Sequence, residues 1–318
     1  MIDIVLSLLK KRGDCLLTIL YKSGVLMAII LLGYILKKGG LFSKERDFRT
    51  ISDIILYITL PAALVNNLNG LRFPLELLLL SIVGFMCNWL YILLSNKFGK
   101  GKKEKSFMML NVNGYNIGNF SLPFISFFLE GIPILAISLF DAGSSIMVLG
   151  GNYAMAESTQ QGESKIQFKA LLKKVVQSPP VIVYIVMVIL SLASINLPVI
   201  VMDLVGIVGG ANTFLAMFMI GIALELNFER ENIALLLKFT LIRYLPAILL
   251  GFIITSLPFV PLTIKYALTL VFLAPASGSA AIFTERMNGD VELSAQFNSL
   301  SIILSIILMS AYLIYLGV

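Results

Sequence analysis

Histidine is absent from this 318-residue chain. With it go the commonest proton shuttle and metal ligand, so a zinc-type hydrolase is excluded and no metal site is expected. Cysteine is nearly absent. Cys15 and Cys87 sit in or beside apolar segments and suggest neither a disulfide framework nor a metal cluster. Charge is scarce as well: Asp, Glu, Lys and Arg make up 13% of the residues, about half the roughly 25% of a soluble domain. What fills the chain instead is apolar, at 58% hydrophobic residues and a mean hydropathy of +0.94. The fold class expected is therefore an all-α polytopic membrane protein with little soluble mass. The net charge of +6 does not point to nucleic acid, because the basic residues cluster in short loops between apolar runs, where they set orientation. A cleavable signal is not expected either. The apolar run Ile2–Leu9 precedes Lys10-Lys-Arg12, the reverse of signal-peptide order.

Ten apolar spans are expected, since about twenty apolar residues cross a bilayer as a helix. They cover about 16–36, 50–68, 74–94, 107–129, 132–155, 178–193, 205–226, 233–256, 266–283 and 293–316. Leu60-Pro61 predicts a kink in the second. Residues 1–156 form a first five-span unit, 157–177 a polar cytoplasmic linker rich in Gln, Ser and Lys, and 178–318 a second unit. The loop after span one carries Lys37, Lys38, Lys44, Arg46 and Arg49, and the loop after span three carries Lys97, Lys100, Lys102, Lys103 and Lys105. After span five come Lys165, Lys169, Lys173 and Lys174, whereas the loops after spans two, four, six and eight hold only Arg72 and Lys265. Odd-numbered loops are thus expected in the cytoplasm and both termini outside, in the plasma membrane. Lys10, Lys11 and Arg12 are outvoted.

Span four is the least apolar in its middle: Asn111-Val-Asn-Gly-Tyr-Asn-Ile-Gly-Asn-Phe-Ser-Leu-Pro123. In hydrocarbon every backbone N–H and C=O needs a partner, so such a segment must be buried in protein or line a cavity. A helix broken at mid-depth frees N–H groups and a positive dipole end, which suits an anion. Span nine holds a matching interruption, Leu273-Ala-Pro-Ala-Ser-Gly-Ser-Ala280. Each is fourth in its half, and an odd number of spans per half makes the second half inverted. Paired interrupted spans of this kind point to a transporter site at the midplane. The alternative is a pair of ordinary kinks whose polar residues bind neighbouring helices.

The helix breakers expected are Gly114, Tyr115, Gly118, Pro123 and Gly278. Asn113, Asn116, Asn119, Ser121, Ser277 and Ser279 are candidate anion contacts, through amide N–H groups and hydroxyls. Asp141 lies a third of the way along span five, and an intramembrane acid is a functional hypothesis by default. It could carry a proton or pair with Lys238 or Arg243 of span eight, and those two could instead draw anions inward. Asp53, Asp203, Glu225 and Glu285 lie near span ends, as interfacial charges do. An intramembrane aspartyl protease would use Asp141 and Asp290, but Asp290 follows Asn288-Gly289 outside the apolar run. A channel would show rings of like residues, not one pair of broken spans. The expectation is a carrier, not an enzyme, with no cofactor and no nucleic-acid partner.

Gly118-Asn-Phe-Ser-Leu-Pro123, Leu273-Ala-Pro-Ala-Ser277 through Phe283, Asn288-Gly289-Asp290 and, more loosely, Ser178-Pro179-Pro180 carry a resemblance. Over Val25–Leu316 the chain resembles the auxin efflux carrier family of secondary transporters, which includes plant auxin exporters and bacterial malonate and malate permeases. The resemblance implies ten helices in an inverted five-plus-five repeat. Spans one, two, six and seven would form an often dimeric scaffold, and the other six would move against it by alternating access. Spans four and nine would cross at Tyr115, Asn116 and Pro275 beside a small organic anion, with Asn298 packed nearby. In the plant carriers a proline precedes the asparagine where Tyr115 stands here, so the break would rely on Gly114 and Gly118.

Overall fold

The computed structural model describes residues 2–43, 46–161, 173 and 176–317, with side chains from Leu16 onward. Most of the linker expected at 157–177, Lys44, and the side chains of Lys10, Lys11 and Arg12 lie outside the described residues. In chain order the helices are α1 (Ile2–Lys38), α2 (Asp47–Leu68), α3 (Leu75–Phe98), α4 (Gly101–Asn111) and α5 (117–125). Then come α6 (Ile132–Gln160), α7 (Pro179–Leu192), α8 (Val199–Ala223), α9 (Arg230–Ser256), α10 (Leu262–Phe272), α11 (Ala280–Arg286) and α12 (Val291–Leu316). No strand occurs among the described residues.

Seven of these, α1, α2, α3, α6, α8, α9 and α12, are long and apolar enough to cross a membrane. The other expected crossings take different forms. Residues 178–193 give the shorter α7, while the segments expected as spans four and nine are each two short helices with non-helical chain between them. Where a kink was expected at Leu60-Pro61, a π turn over Ile55–Thr59 precedes the proline, after which α2 continues to Leu68. Proline lacks the N–H that would bond the preceding turn, and a π turn absorbs that mismatch without ending the helix.

Two sets of helices pack mainly among themselves. In the first, α1 and α2 lie against α8, and α7 lies against α2. Gly33 and Gly221 let α1 and α8 touch backbone to backbone, since a Cβ on either would overlap a carbonyl of the other helix. The second set joins α3 to α6, α6 to α10, α9 to α10 and α12, and α11 to α4 and α12. Gly84 and Gly143 serve the α3–α6 contact in the same way. Small residues at such contacts matter because apolar burial gives no driving force inside lipid, so close packing must supply it. The sets meet where α5 touches α2 and α8 and where α12 touches α1, through a hydrogen bond between Ser23 and Ser310.

Candidate functional site

α4 stops because Gly114 adopts φ +77°, a left-handed conformation that glycine enters without a steric penalty. Asn113 locks the turn: its side-chain oxygen accepts the Gly114 N–H at 2.7 Å, and its amide donates to Asn152 of α6 at 2.8 Å. The chain then runs non-helically to Asn116, and α5 begins as a π turn over Ile117–Ser121. α10 stops at Phe272, and residues 273–279 form the second non-helical stretch before α11.

The two stretches touch. The Asn116 backbone N–H donates to the Pro275 carbonyl at 3.0 Å. Ala276 donates its N–H to Ser301 Oγ of α12 at 3.0 Å, and Ser277 and Ser279 share a hydrogen bond of 2.9 Å. Behind the contact lies Arg243 of α9, fully buried. Its guanidinium donates to the carbonyls of Val112 (2.6 Å) and Gly114 (3.0 Å) on one stretch and Ala274 (2.7 Å) on the other. Thus the carbonyl ends of α4 and α10 meet one cation, while α5 and α11 start from the same place with their N–H ends. The negative ends of α4 and α10 are therefore neutralised, while the first N–H of α11 is taken by the Ser277 carbonyl at 3.1 Å.

The expected site residues divide into three groups. Asn116, Pro275 and Gly278 come together: the Asn116 side-chain nitrogen lies 3.7 Å from where a Cβ on Gly278 would stand. Asn116 and Asn119 are only partly buried, and neither side chain has a partner among the described residues. Ser279 and Asn298 are also partly exposed. Asn113, Ser121 and Ser277 are buried; Ser121 bonds the Asn116 carbonyl at 3.3 Å. Tyr115 is buried edge-on between the rings of Tyr91 and Phe140. Gly118 lies under Leu60 of α2, and the Pro123 carbonyl accepts from Thr213 of α8.

Of the alternatives open to the charged residues, the ion pair to Asp141 is not the one formed. Asp141 pairs with neither Lys238 nor Arg243. Its bonding partner is Ser145 of its own helix, at 3.5 Å, and the Tyr184 hydroxyl of α7 is a polar neighbour. Lys238 instead forms an ion pair with Glu104 of α4, at 2.6 Å. Helix α9 is α-helical from Ile233, as expected for span eight, after a 3-10 turn over Arg230–Asn232, and Lys238 in it reaches the lysine-rich start of α4. Asp290 is exposed and caps α12 by accepting the Leu293 N–H at 2.8 Å, so the second carboxylate of a protease dyad has another use. Sequence reasoning missed Asn152 and Ser301, which hold the stretches from outside. Asn152 carried a signal, an amide just after Gly150-Gly151 within an apolar run; Ser301 carried none.

No curated protein matches the chain. A family described as membrane transport protein matches residues 24–313, which is most of the chain, and the protein therefore belongs to that family, the auxin efflux carriers.

Proposed function

We propose that this family member is a secondary carrier that moves a small organic anion, a mono- or dicarboxylate, across the plasma membrane by alternating access. The observation that carries this reading is the Asn116–Pro275 backbone bond, which joins two unwound stretches beside an amide with no partner. Ten crossings in an inverted five-plus-five repeat follow if α4 with α5, and α10 with α11, each count as one interrupted crossing. The self-packed set α1, α2, α7 and α8 would be the scaffold and the homodimer surface. The set containing α3–α6 and α9–α12 would carry the anion. The lysine-rich odd-numbered loops support a cytoplasmic location for those loops, with both termini outside.

The anion sits where α5 and α11 start, with Asn116 donating to its carboxylate, and Asn119, Ser279 and Asn298 around it. Asp141 couples transport to a proton, because it is an intramembrane acid with no ion pair among the described residues and such acids commonly serve proton relays. Uptake of labelled mono- and dicarboxylates into proteoliposomes, with and without a pH gradient, tests the reading. Saturable flux with counter-transport is the expected result; linear, non-saturating flux would indicate a channel and end it. Asp141→Asn should lose accumulation driven by the pH gradient while keeping exchange, and normal accumulation by that variant would make Asp141 structural.

A further inference from the structure

Arg243 heads the fully buried side chains by size, and its surroundings are unusual for a charge. A buried cation normally meets a carboxylate, because desolvation is otherwise too costly. Arg243 meets none among the described residues. Three carbonyls take that role, those of Val112, Gly114 and Ala274, at the negative ends of α4 and α10. Three aromatic faces complete the enclosure, with the guanidinium carbon 5.9, 5.4 and 6.0 Å from the rings of Tyr91, Tyr115 and Tyr244, within cation–π range. The Tyr91 hydroxyl fixes the helix in place by donating to the Arg243 carbonyl at 2.8 Å.

Unwound carbonyls and half-helix C-terminal ends are the groups with which transporters of this architecture bind a coupling sodium ion. Here those groups converge on the chain's own guanidinium. We propose that Arg243 is a tethered cation holding that position, so that the crossing closes on a charge supplied by the protein and takes no sodium ion there. The proposal rests on the crossing being the carrier's site, as proposed above. The fork of the guanidinium is essential to it. One nitrogen spans the two carbonyls of the first stretch, while the other reaches the second stretch. A lysine ammonium carries the charge as a single point and cannot bridge in that way. Without the side chain, three carbonyls and three ring faces leave a cradle shaped for a free guanidinium ion.

The test is thermal unfolding of the purified protein, as wild type, Arg243→Ala and Arg243→Lys, in low-millimolar guanidinium, sodium or choline chloride. The wild-type midpoint should not depend on the cation. Arg243→Ala should unfold several degrees lower and recover most of that loss, saturably, with guanidinium. Sodium should recover less, and choline none. Arg243→Lys should fall between the two and ignore guanidinium, because its ammonium already fills the cradle. An Arg243→Ala protein as stable as wild type overturns the proposal. So does guanidinium acting alike on both proteins, or a saturable sodium stabilisation of wild type. If Arg243→Ala does not accumulate, Arg243→Lys decides alone: a midpoint equal to wild type shows that the bridging fork is not needed. None of these readouts involves the transported anion. Failure of the anion site would appear as unchanged binding by Asn116→Ala with the guanidinium rescue intact.

Discussion

The two interruptions meet at one backbone bond, yet they are built from different chemistry. The first, Val112 to Asn116, depends on a left-handed glycine and on asparagine, and the side-chain amides of Asn116 and of Asn119, just after it in α5, have no partner among the described residues. The second, Leu273 to Ser279, depends on proline and on hydroxyls that satisfy one another. Its one outward N–H bond in the core goes to Ser301. A stretch whose side chains are mutually satisfied serves as a platform. On the reading proposed above, the stretch with amides unpartnered among the described residues is the part that recognises the anion. On that reading, selectivity lies in the first stretch and rigidity in the second.

The sharpest way to break that comparison is at the two facing glycines. Gly114→Val forces a branched side chain to φ +77° with its Cβ 3.1 Å from the Ser277 Cβ. It should lose about 1–3 kcal/mol from the backbone alone and more from the overlap, seen as a much lower melting temperature or no folded protein. Gly278→Ala meets nothing nearer than the Asn116 nitrogen at 3.7 Å. Its stability should stay within about 0.5 kcal/mol of wild type while anion affinity falls, and equal destabilisation by both variants would erase the distinction.

Next in size is Asn116→Ala. Loss of a hydrogen bond to a charged ligand is worth roughly 1.5–3 kcal/mol, which is a tenfold to hundredfold weaker dissociation constant. Melting of the anion-free protein should barely change, and Asn66→Ala, exposed on α2, should leave affinity alone. Equilibrium binding by all three proteins decides this. Wild-type affinity in Asn116→Ala would make the amide a helix–helix contact and remove selectivity from the first stretch.

Ser301→Ala probes the platform. It strands the buried Ala276 N–H and should destabilise by about 1–3 kcal/mol, with affinity for the anion following only as far as the fold loosens. The smallest effect is expected for Ser279→Ala. This serine is partly exposed; its hydroxyl shares a bond with Ser277 and makes a long contact of 3.5 Å to the Val148 carbonyl of α6, so a loss of about 0.5–1.5 kcal/mol is expected, the worth of one ordinary hydrogen bond. A larger change in binding than in melting at Ser279 would move recognition into the second stretch.

Much of this molecule was legible as sequence. The membrane class, the positions of the apolar helices and both interruptions follow from local composition, because hydropathy adds along a window and Gly, Pro and Asn act on the backbone at their own position. The partners were not legible. Arg243 reads in sequence as a vestibule charge or the mate of Asp141, and Asn113 reads as a weaker anion contact than Asn116, one turn earlier and turned toward the scaffold. The difference between those two side chains is that one bonds Asn152, 39 residues away, and the other has no hydrogen-bond partner among the described residues.

By itself, then, the sequence determined that the chain spans a membrane many times and that two of its apolar segments cannot be continuous helices. Only the tertiary structure decided that these two segments touch, that Arg243 closes their carbonyl ends from 131 and 31 residues away, and that Lys238 pairs with Glu104. Such choices depend on how each helix is rotated about its axis and which helix lies beside it. In a helix apolar on every side, no periodic stripe records that rotation; the packing of small residues and the demand of each buried polar group for a partner set it instead.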